Sequence, residues 1–359
     1  MKIKEIRSYK RDLGLNKPYT VAYQTFSEAV NAIIEIELGN GIVGMGAAAE
    51  GAYVIGEAME ETLSNLQSEY IQKWIGRDIR HFRSLIADSK RLFPQHPATQ
   101  AAIDIALHDA FCKYLGIPVV DFYGRKYYSL PTSVTIGIEN IEATLEEARA
   151  YKSKGFRILK IKTGLDMEQD IERCMKLREE FGNYFTIRID ANQGYDFDTT
   201  IKFYNATKDL GLELVEQPLP VGLESDMKKL PDDLRRIIAC DESLKNTGSA
   251  FQLASDPVAC NIFNIKLMKC GGLLGALDIA NIAYAAGIDL FWGCFDESII
   301  SISAALHAAF SCPGTKYLDL DGSLDLAKDV VSGGFRIADG KMSIVDGPGF
   351  GFTSVENKE

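Results

Sequence analysis

Two lysines one residue apart, Lys160 and Lys162, lie in the apolar run Ile158-Leu159-Lys160-Ile161-Lys162 that follows the turn signal Lys154-Gly155. Such a run reads as a buried parallel strand, and alternation with period two puts both ammonium groups on one face of its end. Like charges crowded in a partly desolvated place lower each other's pKa, which frees one amine to take a proton near neutral pH. A general base is the chemistry on offer; two solvated lysines on an edge strand are the plain alternative. Asp190, Glu216 and Asp241 follow three later apolar segments, and Lys266 follows a fourth. Carboxylates at helix N-caps would explain any one of the three. Brought together, they could not all stay ionised without a cation, and oxygen ligands without His or Cys favour Mg²⁺ over zinc. With a substrate carboxylate on that ion, one lysine of the pair and Lys266 would flank its α-carbon. That suits a 1,1-proton transfer through an enediolate.

Elements able to position these residues recur after Leu130-Pro131. Strand candidates at 133–136, 158–161, 186–189, 212–215, 237–239, 262–265 and 290–292, with a weaker one near 317–318, alternate with helical patterns. Eight strands in that rhythm predict an α/β fold of the parallel (β/α) barrel type over residues 126–324. A doubly wound open sheet would carry a Gly-x-Gly-x-x-Gly turn after a strand, and none follows one here. The C-terminal ends of barrel strands meet at one mouth. There Thr135, Lys160 and Lys162, Asp190 with Asn192, Glu216, Asp241 with Glu242, Lys266, and Asp319 with Asp321 become neighbours.

Residues 1–125 have another rhythm, that of an α+β domain. Ala32, Ile34, Ile36 and Leu38 alternate with Ile33, Glu35 and Glu37, Asn40-Gly41 offers a hairpin turn, and Pro97 opens a helix over 98–115 that Gly116 closes. Between its first strands, residues 16–26 form a long aromatic connection with the character of a lid or binding loop.

The formal net charge of -11 argues against nucleic acid or an anionic membrane as partner and leaves a small-molecule ligand. The N-terminus lacks signal-peptide character, and no apolar run is long enough to span a bilayer. Seven scattered cysteines without a Cys-x-x-Cys pair read as reduced thiols of a cytoplasmic protein. The four histidines show no metal-ligand spacing.

Lys160-Ile-Lys162, Asp190-Ala-Asn192, Glu216-Gln217-Pro218, Cys240-Asp241-Glu242-Ser243 and Asn264-Ile-Lys266 resemble, in order, the motifs of the enolase superfamily in its muconate-lactonising-enzyme-like subgroup. The resemblance spans essentially the whole chain. It implies a modified (β/α)8 barrel, TIM-type with (β/α)7β order, under a capping domain that includes the tail 325–359, with residues 16–26 as the mobile loop. It also implies Lys162 and Lys266 as the two bases, Lys160 as a charged neighbour that tunes Lys162, and Asp190, Glu216 and Asp241 as ligands of one Mg²⁺ per subunit. Asn192 and Glu242 would support them, in a homo-oligomer.

Cycloisomerases, o-succinylbenzoate synthases and N-acyl amino acid racemases share these lysines. Asp319-Leu320-Asp321 separates them, since it resembles the Asp-x-Asp of dipeptide epimerases, whose acidic pair receives the substrate ammonium. Favourable turn chemistry is the plain alternative for that motif. A non-catalytic metal-binding barrel would be expected to lack a lysine, and both are present. In the loop, Gln24 stands where glutamate-preferring epimerases carry an arginine, so an acidic second residue should be rejected. Tyr19, Val21, Tyr23 and Phe26 would line a neutral pocket, with Thr135 and Cys294 as further substrate contacts. The expected reaction is epimerisation at the C-terminal residue of Ala-Ala-like dipeptides.

Overall fold

The computed structural model describes residues 1–49 and 51–355. Strands Ile3–Asp12, Val30–Leu38 and Val43–Ala49 form an antiparallel sheet with Val30–Leu38 in the middle. Its alternation works as expected: Ala32, Ile34, Ile36 and Leu38 are buried, while Glu35 and Glu37 face out and pair with Arg7 and Lys4. Helix Pro97–Leu115 has proline in its first turn and ends at Gly116 in the left-handed region. It lies directly on the sheet because Gly44 and Gly46 have no side chain. A Cβ on Gly46 would stand 1.9 Å from the carbonyl oxygen of Ala102.

The helix is buried almost all round, since its other face meets the barrel. There Asp104 accepts the backbone N–H of Leu273 at 2.9 Å and caps helix Leu273–Ala286. One buried carboxylate thus ties the two parts of the molecule.

Eight parallel strands make the barrel: Val134–Ile136, Ile158–Lys162, Thr186–Asp190, Leu212–Glu216, Ile238–Cys240, Ile262–Ile265, Asp289–Trp292 and Thr315–Leu318. A parallel bridge between Thr132 and Leu318, with Ser133 N–H on Leu318 O at 3.1 Å, joins the first to the last. Helices fill each of the seven connections, and the eighth strand runs on into the tail, which is the (β/α)7β order. Three strands reach further than their apolar runs, so Lys162, Asp190 and Glu216 are their last residues.

The 16–26 segment is not an open loop. It folds into a short hairpin, Tyr19–Thr20 with Thr25–Phe26, and docks on the barrel through Ile138 N–H to Thr20 O at 2.9 Å. Of the tail, Leu326 bridges Leu15, Lys341–Ile344 pairs with Leu130–Pro131, and Gly349 O accepts from Val119. Residues 356–359 of the expected tail lie outside the described residues. Among the described residues no helix is long and apolar enough to cross a membrane.

Candidate active site

Lys160 and Lys162 project from one face of the second strand into the barrel mouth, as their spacing requires. Lys160 Nζ lies 2.7 Å from Asp319 Oδ2, 2.9 Å from Glu216 Oε2 and 3.0 Å from Asp190 Oδ2. Lys162 Nζ donates to Asp190 Oδ2 at 2.7 Å and Asn192 Oδ1 at 3.1 Å. Burial works to lower the Lys160 pKa, but the charges of Asp190, Asp319 and Glu216 outweigh it and hold the ammonium well above its ordinary value. For Lys160 this corrects the expectation of an ammonium destabilised by its neighbour. Asp190 lies between the two lysines, 3.0 Å from Lys160 Nζ and 2.7 Å from Lys162 Nζ.

Asp190 and Glu216 stand side by side on the third and fourth strands. Asp241 follows the fifth strand. All three are fully or almost fully buried. Burial and the neighbouring charges of Asp190 and Asp241 push the Glu216 carboxyl up to about 8. Burial acts in the same direction on Asp190, but Lys160 and Lys162 bring it down to about 2. Asp241 is likewise held well below the usual carboxylate range against burial, by Lys266 and Lys269. Glu216 Oε2 is buried and makes no hydrogen bond, its approach to Lys160 lacking the required geometry.

Among the described residues no three acidic groups already form a metal cage, because the lysines hold their oxygens. The donor set nonetheless fits a hard divalent cation. It is all oxygen, buried, placed at the ends of three adjacent strands, and has one carboxylate oxygen without a hydrogen bond. Asp190, Glu216 and Asp241 would hold Mg²⁺.

Lys266, after the sixth strand, lies 2.8 Å from Asp241 Oδ2 and 4.7 Å from the centre of the Phe295 ring. It stands four strands from Lys162 in a ring of eight, on the opposite side of the mouth. Asn192 and Glu242 line the cavity itself and are joined, Asn192 Nδ2 donating to Glu242 Oε1 at 3.3 Å.

Above these groups is a cavity of about 320 Å³ that Lys160, Lys162, Asp241 and Lys266 line from below and the hairpin roofs. Thr135, Gln24, Tyr19, Phe26, Cys294, Asp319 and Asp321 all reach it. The acidic pair is not equivalent. Asp319 is engaged by Lys160 and by Ser133 Oγ at 2.6 Å, whereas Asp321 is engaged by Thr135, whose N–H it accepts at 2.7 Å. Burial and the charges of Asp319 and Asp325 push the Asp321 carboxyl up to about 7. Cys294 Sγ donates to Asp319 O and accepts from Gly322 N–H, both at 3.3 Å, so it braces the loop that bears the pair.

Aromatic rings roof the second side of the cavity. Tyr53 stacks on Tyr23 at 4.1 Å, Tyr23 meets Phe26 edge-on at 6.4 Å, and Phe26 stacks on Tyr19 at 5.2 Å. Tyr19 then donates its hydroxyl to Asp296 Oδ2 at 2.9 Å. Below the mouth runs a chain of buried polar groups. Arg188 bonds Glu213 at 2.7 Å, Ser133 Oγ at 3.1 Å and Leu318 O at 2.6 Å, and Ser133 passes the link to Asp319 and so to Lys160.

Residues 143–358 match the model for the enolase C-terminal domain-like family, and residues 5–124 that for the mandelate racemase / muconate lactonizing enzyme N-terminal domain. The chain belongs to that family, in the enolase superfamily. Within it, the L-Lys-D/L-Arg epimerase of Methylococcus capsulatus is 48% identical over 98% of this chain and 99% of its own length. The L-Ala-D/L-Glu epimerase of Bacillus subtilis is 31% identical over 98% of this chain and 96% of its own. A crystal structure of the Methylococcus capsulatus dipeptide epimerase complexed with Mg and the dipeptide L-Arg-D-Lys superposes with a TM-score of 0.96 at 47% identity, covering 98% of this chain and 100% of that one. Barrel, cap and enzyme class agree with this family membership.

Sequence reasoning missed several groups. Lys269, buried one helical turn beyond Lys266, donates to both oxygen types of Asp241 and to Asn264 O at 3.1 Å. Its spacing of three from Lys266 was a usable signal. Asp296 lies in the loop after the seventh strand, Asp289–Trp292, so the rule that polar residues follow strand ends would have found it. Glu139, Glu147, Asp325 and Lys17 line the same cavity with no local motif to mark them.

Proposed function

We propose that this protein is a Mg²⁺-dependent dipeptide epimerase that inverts the α-carbon of the C-terminal residue, with Lys162 and Lys266 as the two bases. The observation that supports it is the placement of these lysines on opposite sides of a mouth floored by Asp190, Glu216 and Asp241. Mg²⁺, when bound, supplies the positive charge that stabilises an enediolate and the counter-charge for the three carboxylates. The chain's own residues do the rest. Lys162 takes or returns the proton on one face and Lys266 on the other, Lys160 stays charged beside them, and Asp321 receives the substrate's ammonium.

For the side chains, the acidic lining favours basic residues over the Ala-Ala-like pair expected from the loop alone. Nine carboxylates and four lysines among the described residues line the cavity. Asp296 ends the aromatic roof with no cation as hydrogen-bond partner among the described residues, and Lys162 and Lys266 act on its charge from nearby. A lysine or arginine side chain at the second position would lie along Tyr23, Phe26 and Tyr19 and end at Asp296. Gln24 offers no positive charge, which keeps an acidic second residue disfavoured. Seven free cysteines fit a cytoplasmic enzyme, and the exposed Phe251 and Tyr284 offer apolar surface for a homo-oligomer.

Epimerisation of an Ala-Xaa and Lys-Xaa library, followed by NMR with added Mg²⁺, tests this. Ala-Lys or Lys-Arg well ahead of Ala-Ala, with Ala-Glu last, is the expected order. No α-carbon exchange on any dipeptide would defeat the proposal, and Ala-Glu in first place would defeat its side-chain assignment.

A further inference from the structure

The roof hairpin begins with a lysine that is part of the cavity wall. Lys17 Nζ lies 2.7 Å from Glu139 Oε1 and is also paired with Glu147. Glu139 follows the first barrel strand, and Glu147 lies in helix Ile141–Ser153. Both carboxylates, with Asp325 after the eighth strand, stand around Tyr151 on the side of the cavity that holds Asp321. Lys17 is two residues from Tyr19, so its pairing latches the hairpin to the barrel. Its side chain is 59% exposed, so the ammonium is held there by charge rather than by packing. Glu139 Oε2 is buried and makes no hydrogen bond.

A dipeptide whose ammonium sits on Asp321 has the side chain of that same residue branching one atom away. Lys17, Glu139 and Glu147 line the same cavity as Asp321, within the range of a long side chain leaving there. We propose that Lys17 decides the first residue of the dipeptide. With a small first side chain, Lys17 stays between Glu139 and Glu147 and keeps the hairpin shut; with lysine or arginine there, the substrate's own cation takes its place against the two glutamates. The hairpin is then latched by the substrate. This inference rests on the dipeptide reading of the site.

Steady-state kinetics of the Mg²⁺-loaded wild type, Lys17→Ala and Lys17→Gln on Ala-Lys and Lys-Lys tests it. The expected result is a loss of about fivefold in kcat/KM on Ala-Lys, the worth of one largely exposed ion pair, with Lys-Lys unchanged or improved. Ethylammonium should restore Ala-Lys turnover by Lys17→Ala and inhibit its turnover of Lys-Lys. Equal losses on both dipeptides, no loss on either, or a larger loss on Lys-Lys would each overturn the proposal. A wild type that epimerises neither dipeptide would overturn the dipeptide reading as well, so the two failures are distinct.

Discussion

Asp319 Oδ2 and Lys160 Nζ stand 2.7 Å apart in a fully buried setting, while Asp321, two residues on, presents its carboxylate to the cavity. On the proposed reading, one member of the acidic pair serves the catalytic floor and the other the substrate. Asp321→Asn should raise KM for dipeptides about tenfold or more and leave N-acyl amino acids, which have no ammonium, unaffected; a charge-assisted hydrogen bond is worth ~1.5–3 kcal/mol. Asp319→Asn should instead lower kcat on every substrate, because Lys160 loses its nearest counter-ion. Matching kinetic defects in the two variants would contradict this division.

Removal of Mg²⁺ by exhaustive chelation should abolish turnover, and Asp190→Asn, Glu216→Gln or Asp241→Asn should each do the same. Isothermal titration with Mg²⁺ checks the cause, since each variant should bind the ion more weakly than wild type. Unchanged activity after chelation would rule out the metal's role.

Opposed lysines predict opposed stereochemistry. In deuterated water, Lys162→Ala should exchange the α-proton of one epimer only and Lys266→Ala that of the other, read by NMR. Exchange of both epimers by either variant would contradict the two-base arrangement.

Burial pushes the Asp296 carboxyl up to about 6, with Asp325 adding to it and Tyr19, Lys162 and Lys266 acting against it. A carboxyl raised above its ordinary value loses its charge as pH falls through that higher point. The preference for Ala-Lys over Ala-Ala should therefore shrink below a pH of about 6. Asp321 acts on both substrates alike and cancels in the ratio. Asp296→Asn should give a ratio that is low and independent of pH, and a wild-type ratio flat across that range would count against Asp296.

The barrel was legible because most strands are short apolar runs before a polar residue, and the floor because its carboxylates recur once per repeat. Helix 98–115 was legible from Pro97 and Gly116 alone. What escaped was whatever depends on several elements meeting. Asp319 looked identical to Asp321 until Lys160 and Ser133 were placed beside it. The hairpin's aromatic residues read as a neutral pocket because Asp296, Glu139, Glu147 and Asp325 come from four other places in the chain. Lys160 looked like a repelled neighbour of Lys162 because nothing local shows the Asp190 carboxylate that lies between them.

The polar chain from Arg188 through Ser133 to Asp319 also bears on heredity. Ser133 and Asp319 are 186 residues apart in sequence yet share a hydrogen bond of 2.6 Å, and Leu318 O accepts from both Ser133 and Arg188. A chimera whose last strands brought no carboxylate at position 319 would cut that seam and leave Ser133 Oγ and Lys160 Nζ without this partner in the interior. The roof hairpin lies outside the seam. Gene segments encoding residues 131–321 should therefore be inherited as one block, while the hairpin can be exchanged between lineages with the barrel intact.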